Sequence, residues 1–308
     1  MLLLKDWKKE QLTIQLLTQI LGKYCLQDRS QEPQWGHVML GITPQGFTTG
    51  SLFYEDKTYS IDLNFVDHKI EIRTAESGKE ISIENGKNIK TYYEEIKEAL
   101  GKLGVHTKIT TAPQEMEIKT LFDQDEDHHH YKPEIMEEFL ELIHFAYKVE
   151  TRFIHKLRGR KVLPGFFFGT FDLTSLIVNN KFNQIFKESQ VIEYNAFDEE
   201  LIEFGFWFGD DKYEGPTFFI LAYPFLDDKF EFKKEDFPEG AVFDEKLAEP
   251  VFELKDTSKE SEDKVLQFFE QGFKLLENYL GWDEYTHCTS PLTMPKKAFD
   301  GGAFDNKE

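Results

Sequence analysis

Five acids and three histidines crowd into LFDQDEDHHHYKPE, the fourteen residues from Leu121 to Glu134. Imidazoles and carboxylates are ligands for zinc, iron or manganese, so His128, with Asp123 and Asp125, is a candidate metal site. Neighbouring histidines cannot all face one ion, so such a site needs partners from elsewhere, such as His37 or Asp67. As a calcium loop the stretch is deficient: His128 stands where the sharp turn requires glycine, and Pro133 interrupts the end of the loop. The plain alternative is a solvated acidic lead-in whose Asp127 and neighbours satisfy the N-terminus of the helix that follows.

A second group of candidates sits among aromatic residues. In WGHVMLGIT, read as a strand, period two puts Val38, Leu40 and Ile42 on one face. Trp35, His37 and Met39 then share the other, where an imidazole could serve as general base on a cleft wall or simply bond a backbone carbonyl. Asp172 interrupts the apolar run FFFGTFDLTSL, and Glu200 and Glu203 lie beside Phe204, Phe206 and Trp207. Carboxylates in such company are costly unless paired or functional. They could meet the basic patch of Arg158 and Arg160, which could otherwise grip an anion or compensate a helix terminus. Asp67 and His68 are explained by a hairpin turn alone.

Phosphate-binding loops, the dinucleotide glycine pattern, the nucleophile elbow and the paired-histidine zinc-protease helix are all missing from the sequence. A net charge of −21 opposes nucleic acid and anionic membrane, so neither is an expected partner. Cys25 and Cys288 form no metal or disulfide pattern, which fits a reducing compartment. The start, MLLLKDWKKE, carries too few apolar residues for a secretory leader, and no run approaches the roughly 20 needed for a membrane span. The expectation is a soluble cytoplasmic protein. No particular cofactor is indicated, and the oligomeric state is open.

The elements that must position these residues follow from periodicity. A first helix starts near an Asp6 cap and stops at Gly22. Strands follow around Pro44-Gln45-Gly46, then a hairpin in KTYSIDLNFVDHKIEIRT, then the strand KEISIE. A helix runs from Asn88 to Gly104, and the longest from Pro133 to about Leu157. The second β block comprises LPGFFFGTFDLTSLIV, EELIEFGFWFG and PTFFILAYPF. An acidic loop crosses 227 to 257, and Thr257 with Glu260 forms a capping box for a last helix ending at Gly281. This is an α+β protein: two antiparallel β-rich halves, each flanked by helices, spanning about 1–110 and 133–285. They are joined by loop 111–132 into one compact unit, and 286–308 is a flexible tail. The halves echo each other weakly, which leaves duplication and chance equally open.

The order WGHV, GFTT, FVDH, FDQD with a following His and Tyr, LRGR, FGTFDL, GFWFG and AYP resembles a bacterial family catalogued as domain of unknown function 5996. The likeness runs from about Trp7 to Trp282. It implies one family-sized unit and brings no activity with it. It also implies which residues carry the family pattern: Trp35, His37, Thr48, Thr49, Asp67, His68, Phe122, Asp123, Asp125, His128, Tyr131, Arg158, Asp172, Glu200, Trp207 and Tyr223. His129 and His130 fall outside that pattern. The chain departs from it at Gly165 and Phe168, where the family carries a His and a Trp, and at VNNKF, which replaces a Ser-Gly-Arg.

These readings converge on a cleft between the halves that binds a small molecule. Trp35, His37, Asp172 and Trp207 would wall it, with the 122–131 loop at its rim. His37, Asp123, Asp172 and Glu200 are the candidates for proton transfer. Trp35, Thr48, Asp67, His68, Asp125, Tyr131, Arg158, Trp207 and Tyr223 are the candidates for ligand contact. A metal-dependent enzyme using the 123–131 loop and a non-catalytic interaction module are the alternatives.

Overall fold

The computed structural model describes residues 1–282. Helix α1 (Leu4–Asp28) is buried on nearly every side from Trp7 to Cys25. It does not stop at Gly22, and Asp6 lies in its first turn instead of capping it. Gly22 is there for contact: a Cβ at this position would stand 1.9 Å from the Phe168 ring, so only glycine lets that ring press against the helix.

Strands β1 (Gly41–Thr43), β2 (Gly46–Thr48), β3 (Leu52–Tyr54), β4 (Lys57–Asn64), β5 (Lys69–Thr74) and β6 (Gly78–Ser82) form the first sheet, in the order β1-β2-β4-β5-β6 with β3 also on β4. The β4–β5 hairpin has the expected alternation, with Ile61 opposite Ile72 and Leu63 opposite Ile70. Helix α2 (Ile89–Lys102) is capped by Asn88, whose side chain accepts from the Thr91 N–H. Helix α3 (Pro133–Ile154) begins at proline, which needs no N–H partner there.

The second sheet contains β7 (Arg160–Phe167), β8 (Asp172–Phe182), β9 (Glu199–Trp207), β10 (Thr217–Tyr223), β11 (Ala241–Asp244) and β12 (Glu249–Glu253), in the order β7-β8-β9-β10-β12-β11, antiparallel throughout. A short helix, α4 (Val191–Ala196), lies between β8 and β9, and α5 (Lys259–Tyr279) follows the sheet. The fold is thus α+β with two open antiparallel sheets, each of six strands. They are tied by reciprocal backbone hydrogen bonds of 2.8 Å between Leu40 and Phe166 and by stacking of Phe47 on Phe166 at 4.4 Å. Buried apolar residues of both halves form one connected cluster.

Three local expectations are corrected. WGHVM is no strand: Pro33–Val38 is a tight 3₁₀ segment in which Gln34 and Trp35 take the left-handed conformation at φ 53° and 58°, so side chains no longer alternate. The acidic loop contains the β11–β12 hairpin, whose turn is held by Asp244. That carboxylate accepts from the Lys246 and Leu247 N–H groups, the Tyr213 hydroxyl and the Lys212 ammonium. The cap of α5 is Ser258, accepting from the Ser261 N–H, one residue beyond Thr257. Among the described residues no helix is long and apolar enough to cross a membrane. The expected tail, 286–308, lies outside them.

Candidate functional site

Period two gives the second sheet two faces. Leu173, Ile177, Ile202, Phe204, Phe206, Phe218 and Ile220 point toward α3 and α5, where Phe204 meets Phe153 and Phe269. The other face is assembled across strands by register. Phe167, Asp172, Trp207 and Thr217 form one row, Thr174, Gly205 and Phe219 the next, and Leu176, Glu203 and Leu221 a third. Gly205 shapes this floor, because a Cβ there would lie 2.2 Å from the Phe219 ring, which instead lies over the bare backbone.

Over this face stands a cavity of about 510 Å³. Its remaining walls come from Gln11 on α1, from the 3₁₀ segment through Gln34, Trp35 and Met39, from Glu115 in the linker, and from Ile192 and Ala196 on α4. Glu115 takes a left-handed backbone at φ 53° and lies against Gly169, where a Cβ would meet its Oε2 at 2.0 Å. A non-glycine residue holds such a conformation only when its surroundings dictate it.

Four carboxyls in the cavity are raised into the neutral range, where protonated and ionised forms coexist. Burial raises Asp172 to about 7, and the Glu203 charge adds to this, while the Thr170 hydroxyl donates to it. Burial likewise raises Glu203 to about 7; the Thr174 hydroxyl donates to its Oε1 at 2.5 Å. Glu115, although exposed to solvent, is raised to about 7 by partial desolvation, with Asp172 and Glu193 contributing and Lys23 opposing. Glu249 reaches about 8 through burial, then through the charges of Glu203, Asp244 and Asp172. Such carboxyls can donate hydrogen bonds, neutralise a cation or exchange a proton with a bound molecule at neutral pH.

Of the residues singled out by sequence, Trp35, Asp172, Glu203 and Trp207 meet in this cavity. His37 does not: it is buried behind Trp35, its Nδ1 accepting from the Glu32 N–H at 3.3 Å, and burial lowers its pKa. Glu200 has the opposite parity to Glu203 and faces away from the cavity. It is held there by Lys181 at 2.8 Å and by the Trp282 indole N–H at 3.0 Å. Tyr223 donates its hydroxyl to the Asn183 carbonyl at 2.6 Å within a satellite aromatic cluster. Arg158 is exposed beyond α3.

The 122–131 loop is not the rim of the cavity, and none of its residues lines it. It caps α2 instead. The Ile89 and Lys90 N–H groups donate to the carbonyls of His128 and Asp125. The buried Asp125 carboxylate accepts from the Asp127 and His128 N–H groups and lies 2.8 Å from His128 Nδ1. Asp123 is exposed; Tyr131 bonds His68 Nδ1 at 2.8 Å, and Asp67 accepts from the Asn64 side chain in the hairpin turn. Among the described residues, no group of three or more His, Cys, Asp or Glu side chains is arranged to hold a metal ion.

Thr48 lines a second cavity, of about 440 Å³, on the other side of the 3₁₀ segment. Its basic groups are already engaged: Arg29 donates to the carbonyls of His37 and Met39, Arg160 to Glu199, and Lys161 to the carbonyls of Ile154, the last residue of α3, and Leu157 just beyond it.

Sequence reasoning missed Glu115, Glu249, Gln11, Gln34 and Phe219. Glu115 stands in an unpatterned linker, and Glu249 in the hairpin hidden by acidic residues. Phe219 had a usable signal, since strand parity groups it with Leu221. No curated protein and no solved structure matches the chain. A family model does match, over residues 1–288, and the chain belongs to that family, the family of unknown function DUF5996.

Proposed function

We propose that this protein binds a small organic molecule in the cavity over the open face of the second sheet. The observation that carries this reading is the cavity itself, about 510 Å³ with aromatic walls and a few buried polar groups. Pockets for small ligands run from roughly 300 to 1,000 Å³ and have this composition. Residues far apart in sequence, from Gln11 to Glu249, converge on it.

The reading is tested by filling the space. Leu221→Trp places an indole in the cavity from the middle of β10. A panel of neutral aromatic fragments, followed by ligand-observed NMR, is expected to bind the native chain and to lose binding in the variant. Equal binding to both proteins would overturn the reading. A thermal melt of the variant checks that it is folded.

A further inference from the structure

Elsewhere in this protein, five buried carboxylates have cations of their own, and Glu150 in α3 is an exception. Glu262 is met by Lys148 and Arg152, Glu71 by Lys69 and Arg73, Glu10 by Lys132, Glu200 by Lys181 and Asp244 by Lys212. The cavity breaks this pattern. Among the described residues, its lining contains Glu115, Asp172, Glu203, Asp210 and Glu249 and no lysine, arginine or histidine. Among the described residues, no ion pair reaches Glu115, Asp172, Glu203 or Glu249. Hydroxyls of Thr170 and Thr174 donate to two of them, which orients the carboxyls without neutralising them.

An unbalanced set of carboxyls in a low-dielectric space disfavours an anion and gives a neutral molecule only hydrogen bonds. A cation gains ion pairs there, and the faces of Trp35, Trp207 and Phe219 add attraction to the same charge. The apolar strip through Leu176, Leu201 and Leu221 suits a hydrocarbon body. We infer that the cavity takes an organic cation, a protonated amine on an apolar body, with its ammonium at Glu203 and Glu249 and its body against the aromatic walls. This rests on the cavity being a ligand site, and it names the ligand class.

The test uses the full chain and three probes of like size: phenethylamine, phenethyl alcohol and phenylacetate. Binding is measured by calorimetry and ligand-observed NMR at about pH 7.5, where the amine is protonated. The amine is expected to bind about tenfold more tightly than the alcohol, and phenylacetate more weakly than either. In Glu203→Gln, which preserves the side-chain shape, the preference for amine over alcohol is expected to fall to about threefold or less. Glu249→Gln provides the same test at a carboxyl that, among the described residues, has no hydrogen bond to lose. If alcohol and amine bind alike, and both are lost in Leu221→Trp, the cavity reading stands and the cation inference is overturned. If no probe binds, the cavity reading falls and the inference with it. An amine preference unchanged in both variants would place the cation elsewhere and also overturn the inference.

Discussion

Raising the pH from about 5 to 8 should destabilise this protein, and Glu203→Gln should remove part of that dependence. Glu203 titrates at about 7 in the fold against an ordinary 4.5, because burial disfavours its charge. Below about 4.5 the group is protonated in both states, and its contribution to stability is complete. As the pH rises, the unfolded chain releases the proton first while the fold retains it, so unfolding gains about 1.4 kcal/mol per pH unit until the folded group ionises near 7. The gap of about 2.5 units corresponds to about 3 kcal/mol, an upper figure because water at the cavity mouth eases the charged form. Asp172, Glu115 and Glu249 act in the same direction. His37 opposes them below about 6.5, since burial keeps it neutral in the fold. The difference between variant and native chain cancels that contribution. Urea titrations followed by circular dichroism, at half-unit steps of pH, are the assay. Glu203→Gln should match the native stability near pH 5 and exceed it by about 2–3 kcal/mol near pH 8. A difference that stays flat across this range would refute the assignment of a raised carboxyl in the cavity.

Three further outcomes can be checked by denaturation. Glu150 is wholly buried in α3 and pushed well above the carboxylate range by burial, with the Ser175 hydroxyl beside it and, among the described residues, no ion pair, so Glu150→Leu should stabilise the fold by about 1–3 kcal/mol. Gly22→Ala should cost about 1–3 kcal/mol through collision with Phe168, and Phe168→Leu in the same chain should recover part of it. Asp125→Ala should cost about 1–2 kcal/mol by releasing the loop that caps α2, while fragment binding in the cavity stays within twofold of native.

Local chemistry made much of this molecule legible before the structure. The β4–β5 hairpin, α2 with its Asn88 cap and the proline start of α3 depend on neighbours within a few residues, so their patterns are written in short segments. Residue type also pointed to Asp172 and Trp207, because an acid in an apolar strand and an indole beside it are costly anywhere but at a partner or a cavity. Strand parity could have separated Glu200 from Glu203, since side chains three apart on one strand face opposite ways. His37 was misplaced because two residues before it turn left-handed, and period two does not survive that turn.

What the tertiary structure decided was convergence. Glu115 reaches the cavity from a linker without pattern, Glu249 from a short hairpin, and Gln11 and Trp35 from the other half of the chain. The acidic histidine stretch looked most like chemistry, yet its carbonyls and Asp125 serve the N-terminus of α2. Sequence alone determined the α+β class and the acidic, aromatic character of the chain, because these follow from side-chain period and composition. The tertiary structure decided which carboxyls share a cavity whose lining, among the described residues, carries no basic side chain, because that depends on register and on contacts between residues more than a hundred positions apart.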